Sequence, residues 1–254
     1  MEIWLVALTV VAGVAMGAIN NVAGGAGVIG LLVFEHGFGL PLATANPSTR
    51  LAAVAIGTFA CLGFVRAGRA IPRRAWAQAL CALPGAFLGS ALALELPPLW
   101  FRGYLAAVLV LLLWQQLRGR PAVDTRPRPL WQAAAGCFAI GLHMGYVQIG
   151  TGLVATLVLA HGYDRDLLAV NAAKSIVVIV TSVASAGSFA LSGAVAWTPA
   201  VALAVGAAAG SYFASHWSVA RGSDAVRRVV VVIAALTLVD QLREIALLLA
   251  VDGR

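Results

Sequence analysis

The sequence predicts an all-α, polytopic membrane protein built from two repeats that enter the bilayer in opposite directions. Three observations carry that reading. Apolar residues make up 61% of the chain and charged residues 11%, with a mean hydropathy of +0.92, far from the balance of a soluble domain. The chain also aligns with itself, without a gap, at an offset of 125 residues. Finally, the loops that match at this offset differ in charge.

Ten apolar stretches follow one another, at roughly 3–19, 21–35, 42–65, 75–94, 99–117, 131–147, 149–160, 167–191, 197–217 and 226–242. Most approach the ~20 residues that a helix needs to cross ~30 Å of hydrocarbon. The ~10-residue alternating strands of a membrane β-barrel are absent from the sequence. Glu2 follows Met1 and no cation precedes the first stretch, so a cleaved secretion signal is not expected.

The duplication is plainest between "LLVFEHGFGLPLATANPSTR" (31–50) and "TLVLAHGYDRDLLAVNAAKS" (156–175). His36 meets His161, Gly37 meets Gly162, Leu42 meets Leu167 and Asn46 meets Asn171. Further out, Gly25 and Gly27 fall on Gly150 and Gly152, Gly85 on Gly210, Ser90 on Ser215, and "QQLR" (115–118) on "DQLR" (240–243). A self-match of this length marks an internal repeat. It divides the chain into a first transmembrane repeat at 1–118, a Pro/Arg-rich cytoplasmic linker at 119–130, and a second repeat at 131–254.

Loop charge gives direction, because short Arg-rich loops stay in the cytoplasm. Arg66, Arg69, Arg73 and Arg74 mark 66–74 as inside; Arg118, Arg120, Arg126 and Arg128 do so for 118–128, and Arg221, Arg227 and Arg228 for 219–228. The loops 95–98 and 192–196 carry no cation and belong outside. Matching segments of the two halves therefore run in opposite directions, as in inverted-repeat transporters. The net charge of +7 is a topology signal on this reading, and no nucleic-acid partner is expected. Both termini are placed outside.

Each half opens on a segment that does not read as a clean helix. "GAINNVAGGAGVIG" (17–30) and "GLHMGYVQIGTGL" (141–153) put Asn21, Gln148, Thr151 and the glycines Gly24, Gly25, Gly27, Gly150 and Gly152 at membrane depth. Irregular backbone survives there only inside protein or beside a wet cavity. Close helix packing would also use small residues. Matching breaks in the two halves favour a site, with the first two segments of each repeat forming a broken or re-entrant hairpin.

Two cations lie inside spanning segments, where a charge costs several kcal/mol and marks function. Arg50 is eight residues into 42–65, and Lys174, the sole lysine of the chain, is seven residues into 167–191. At 1.5 Å per residue, both sit roughly 11–12 Å deep. No carboxylate lies in these segments at similar depth. Two buried cations without a counter-charge imply an anion between them. Asn46, Thr49, Asn171 and Ser175 add neutral donors, and helix starts after the breaks add backbone N–H groups. The competing reading makes both cations caps on the carbonyls of broken helices.

His143 stands alone in an apolar segment, as a candidate proton relay or a hydrogen-bonded structural residue. His36 and His161 read as turn residues, Glu35 as a boundary charge and Asp240 as interfacial. Cys61, Cys81 and Cys137 lack metal or redox spacing and read as packing residues. Six tryptophans, Trp76, Trp100, Trp114, Trp131, Trp197 and Trp217, lie near segment ends, as an interfacial belt requires.

The Gly-rich segments, each followed by an "A.AN" or "AVN" helix start, together with "SGAVAWTPAVALAVGAAAGSYFAS" (192–215), resemble the sulfite exporter TauE/SafE family across essentially the whole chain. The resemblance implies transport of small sulfur anions, such as sulfite or organosulfonates, through a bacterial inner membrane. Together the readings define a secondary transporter, on balance an exporter, working by alternating access around Arg50 and Lys174. The alternative is an anion channel or a carrier of another small anion. No enzyme activity, cofactor or metal site is expected; the expected partners are the anion and the lipid bilayer. Oligomeric state is not legible in the sequence.

Overall fold

A computed structural model describes residues 3–22, 26–118, 129–159, 163, 167–217 and 224–252. These residues form ten α-helices and no strand. They are α1 (Ile3–Val22), α2 (Gly27–Leu32), α3 (Leu42–Arg66), α4 (Arg74–Glu95), α5 (Pro98–Arg118), α6 (Leu130–Tyr146), α7 (Thr151–Leu159), α8 (Leu167–Leu191), α9 (Trp197–Trp217) and α10 (Asp224–Asp252). A π-helical turn, Val33–Gly37, continues α2. Among the described residues six helices are long and apolar enough to cross a membrane: α1, α3, α4, α5, α8 and α9. The chain is a multi-pass membrane protein.

Most expected segments coincide with the observed helices to within a few residues; the exceptions are the second, expected from 21 but starting as α2 at Gly27, and the last. Helix α10 runs on to Asp252, ten residues beyond the expected stop at 242. Arg243 and Glu244 break the apolar run there, yet "REIALLLAV" contains neither Gly nor Pro to end a helix. The linker 119–128, with Gly24, Gly25 and His161, lies outside the described residues.

Local chemistry explains the helix ends. Pro98 opens α5 at the first helical position, where its missing N–H costs nothing. Helix α3 ends with Gly68 at φ +78°, and Arg69 N–H donates back to the Phe64 carbonyl at 2.9 Å. Helix α8 ends in the same way, with Gly193 at φ +72° and Ala194 N–H donating to the Phe189 carbonyl at 3.1 Å. Both are six-to-one closures that need a left-handed residue, and they lie 125 residues apart.

The halves interlock rather than sit side by side. Helix α1 packs along α9 of the other half, and α6 packs along α4. Helix α3 crosses α8 and also lies along α9, while α5 pairs with α10. Without a hydrophobic force between helices in lipid, close backbone approach supplies the attraction. Gly13 and Gly17 of α1 face the carbonyls of Leu203 and Ala207, and Gly206 and Gly210 answer against Val10 and Val14. The second interface repeats the device, with Gly85 and Gly89 against Phe138 and Leu142, and Gly141 and Gly145 against Ala82 and Ala86. A methyl at any of these eight positions would fall on a carbonyl oxygen of the facing helix. Apolar side chains such as Leu117, Leu191 and Phe213 point outward, as do Trp76, Trp100, Trp131 and Trp197.

Candidate functional site

Helix α6 stops at Tyr146, and the chain runs extended through Val147 (φ −136°, ψ 126°) before α7 starts at Thr151. Gly150 takes φ +73° in this passage, a conformation L side chains avoid. The break in the other half comes up against it. Gly27, the first residue of α2, approaches the Gln148 carbonyl so closely that a Cβ on Gly27 would meet that oxygen. The described parts of the two expected interruptions thus converge inside the fold, among the buried side chains of Ala26, Val28, Val147 and Ile149.

Arg50 reaches into this junction from α3 and is wholly buried, 0% exposed. One terminal nitrogen, Nη1, donates to the Met144 carbonyl at 2.8 Å and to Gln148 Oε1 at 2.7 Å. The other, Nη2, donates to Asn46 Oδ1 at 2.9 Å and to the carbonyls of Tyr146 at 3.0 Å and Gly145 at 3.2 Å. Those three carbonyls are the open C-terminal end of α6, which carries partial negative charge and lacks intrahelical donors. A planar guanidinium fits such a fan of acceptors as an ammonium cannot. The Phe189 ring of α8 covers the guanidinium at 5.4 Å from its centroid. Arg50 therefore caps a broken helix with most of its donors. Its Nε, together with the Tyr146 hydroxyl, is buried without a hydrogen-bond partner among the described residues.

The neighbouring side chains hold the cap. Asn46 donates from Nδ2 to the Tyr146 carbonyl at 3.1 Å while accepting from Arg50. Gln148 passes the contact on by donating to the Ser182 hydroxyl of α8 at 3.1 Å. Thr49 turns back to the Asn46 carbonyl at 2.7 Å and leaves its methyl towards Gly30 of α2. Pro47 removes one helical N–H from the second turn of α3, and Ser48 beside it accepts from the Ala196 N–H at 2.9 Å, just before α9.

Lys174 is also buried, 5% exposed, but its surroundings differ. No hydrogen bond or ion pair engages its ammonium among the described residues. Ser175 donates to the Asn171 carbonyl at 3.0 Å, and its own carbonyl faces Gly57 of α3, where α3 and α8 cross. Arg50 lies seven residues, about 10 Å of helix, from Gly57. Lys174 lies eight residues, about 12 Å, from Ser182 on α8. The two cations thus occupy different stations along the crossing helices, rather than one shared contact.

His143 has both ring nitrogens engaged. A carbonyl can only accept, so the 2.9 Å contact of Nε2 with the Ile149 oxygen places the proton on Nε2. Nδ1 then accepts from the Tyr104 hydroxyl at 2.8 Å. The imidazole spans the break from α6 to Ile149 and pins its shape. Thr151 is buried at the first turn of α7, with Gly152 next in that helix, and Asn21 lies in the last turn of α1. No cluster of metal-ligating side chains occurs among the described residues.

Sequence reasoning missed Tyr104, Tyr146, Ser182 and Phe189. Ser182 and Phe189 carried a faint signal, since Phe189 matches Phe64 and Ser182 matches Gly57 at the repeat offset. It also missed Arg102, and it read Glu35 as a boundary charge. Glu35 is half-buried and pairs with Arg102 of α5 at 2.8 Å.

Interlocked membrane helices and two broken segments meeting beside the buried Arg50 fit the class of polytopic membrane transporters. Comparison with family models gives the family: the model described as Sulfite exporter TauE/SafE matches residues 9–240. The chain belongs to that family, and so it is a membrane transporter of sulfur anions rather than an enzyme. Neither the curated proteins nor the solved structures contain a match to it.

Proposed function

We propose that the protein is a secondary carrier that exports a small sulfur oxyanion, sulfite or an organosulfonate, from the bacterial cytoplasm across the inner membrane. The observation that carries this is the unequal state of the two buried cations. Arg50 has its charge offset by the end of α6, whereas Lys174 has no counter-charge among the described residues. A buried ammonium is tolerable when an anion visits it. Lys174 is thus the point charge for the substrate, with Asn171 and Ser175 beside it. Arg50, Asn46 and Gln148 hold the broken end of α6, and the free Nε of Arg50 faces whatever enters the junction.

On this reading 1–118 and 131–254 are inverted repeats joined by the cytoplasmic linker 119–130, with both termini periplasmic. The exchanged packing of α1 on α9 and α6 on α4 supports it. Asn46, Arg50, Gln148 and Lys174 are all buried, so the conformation is closed and transport requires the halves to rock. An inside-negative potential favours outward movement of an anion by about 2.3 kcal/mol per charge per 100 mV. Efflux from proteoliposomes loaded with labelled sulfite or sulfoacetate tests the reading. Saturable flux with counterflow is expected, and Lys174→Met should abolish it. Flux that never saturates and shows no counterflow would mean a channel instead.

A further inference from the structure

A second buried charge cluster lies away from the junction, at the end of the molecule that the loop charges place outside. It joins the π-helical turn after α2 to α5 and α10. Arg102, on the second turn of α5, donates from Nη2 to Glu35 Oε1 at 2.8 Å and from Nη1 to Gln241 Oε1 at 2.9 Å. The same Nη2 lies 3.5 Å from Glu244 Oε2. Next to them, His36 Nε2 sits 3.2 Å from Asp240 Oδ1, and Gln241 donates to Asp240 Oδ2 at 3.1 Å. Two carboxylates, Glu35 and Glu244, thus share one guanidinium, and a third, Asp240, pairs with the single histidine at the exposed edge.

The balance is uneven at one atom. Glu35 has a side chain only 9% exposed, and its second oxygen, Oε2, is buried with no hydrogen-bond partner among the described residues. A carboxylate oxygen left without a donor in a dry site is costly, and crowded carboxylates bind protons as a group. Besides Arg102, the nearby His36 relieves it only weakly, and Asp240 adds to it. Helix α1 carries no charged residue over its length. The cations of α3, Arg50 and Arg66, are engaged with the α6 end and with Tyr212.

The duplication sharpens the point. At the 125-residue offset Arg102 corresponds to Arg227 and His36 to His161, but Glu35, Asp240 and Glu244 correspond to Ala160, Gln115 and Gly119. The acids were placed at one end only.

We propose that Glu35, with Arg102 and Glu244, forms a proton-binding site on the outer face that latches the α2 hairpin. This rests on the carrier reading for its role in transport. With Glu35 ionised, Arg102 ties the hairpin turn to α5. A proton taken from outside neutralises Glu35, and Arg102 Nη2 swings to Glu244, already 3.5 Å away, so that the guanidinium joins α5 to α10 and lets the hairpin go. The two partners give the latch two discrete states. Since α2 begins at Gly27, against the Gln148 carbonyl, releasing the turn would loosen the junction.

The test is hydrogen exchange of the purified full-length chain at pH 5.5 and 7.5, corrected for the intrinsic pH dependence of exchange, with labelled-sulfite counterflow measured in parallel. In the wild type, amides of 27–41 should exchange on the order of tenfold faster at the lower pH. In Glu35→Gln they should exchange fast at both. Glu244→Gln should move the transition to lower pH by about one unit, because it removes a like charge that favours the proton. Exchange that is indifferent to pH in the wild type, or a pH response that survives in Glu35→Gln, would overturn the latch. Should Glu35→Gln fail to fold, the Glu244→Gln shift decides by itself, and an unmoved midpoint refutes the proposal. A pH-dependent hairpin in a protein without counterflow would uphold the proton site and refute the carrier; counterflow with a pH-indifferent hairpin would do the reverse.

Discussion

Arg50 and Lys174 invite comparison because both are cations buried in matching helices of the two halves. Arg50 is surrounded by acceptors: three carbonyls of α6, two amide oxygens and an aromatic face. Lys174, 5% exposed, has no such company among the described residues. A buried charge that backbone carbonyls and amides satisfy builds structure, and on the proposed reading Lys174 is the one kept for the substrate. Depth in the membrane alone does not separate the two roles.

The comparison can be broken at its stronger side first. Arg50→Met leaves the end of α6 without donors and should destabilise the fold by about 3–5 kcal/mol, read as a lowered thermal unfolding transition in detergent. Arg50→Lys should recover little of it, because one ammonium cannot span the fan of oxygens. If Arg50→Met melts like the wild type, the cap is not structural and Arg50 returns to the substrate.

The ligand response comes next. A sulfur oxyanion at 100 times its Kd should stabilise the wild type by ~2.7 kcal/mol. Lys174→Met should lose that response while melting no lower than the wild type, since removing an unpaired buried charge is neutral or stabilising. Equal destabilisation by Lys174→Met and Arg50→Met would erase the distinction drawn here.

Two glycine substitutions sharpen the comparison at smaller scale. Gly145→Ala puts a methyl onto the Ala86 carbonyl next to the Arg50 cap, and should cost about 1–3 kcal/mol. Gly187→Ala, on α8 close to Phe189, meets open space and should stabilise by up to about 1 kcal/mol through helix propensity. Thermal unfolding of both, with sulfite binding as a control, checks that effects near Arg50 follow packing and not composition.

The exchange of partners between halves explains why so much depends on these few contacts. Because α6 leans on α4, and α1 on α9, each broken helix is held by the other half of the chain. The Arg50 cap crosses the same divide, from α3 to the end of α6.

The sequence by itself determined the class, the helices and the breaks. Hydropathy is a property of consecutive residues, so ten segments could be read off, most with their ends nearly right; the late start of α2 at Gly27 and the continuation of α10 past Arg243 were hidden. The self-match brought out Asn46 and Asn171, and membrane depth singled out Arg50 and Lys174. What satisfies a buried charge is a question of contacts across about 95 residues of chain, from Arg50 to Met144, Gly145 and Tyr146. Backbone carbonyls leave no mark in the side-chain sequence, so the cap was invisible there. The same holds for Glu35, read as a boundary charge, whose partner Arg102 also meets Gln241 and Glu244 of α10. Local patterning sets which segments are helices, because the bilayer judges each segment on its own hydrophobicity. Tertiary packing alone decides which carbonyls and amides come to meet a buried charge.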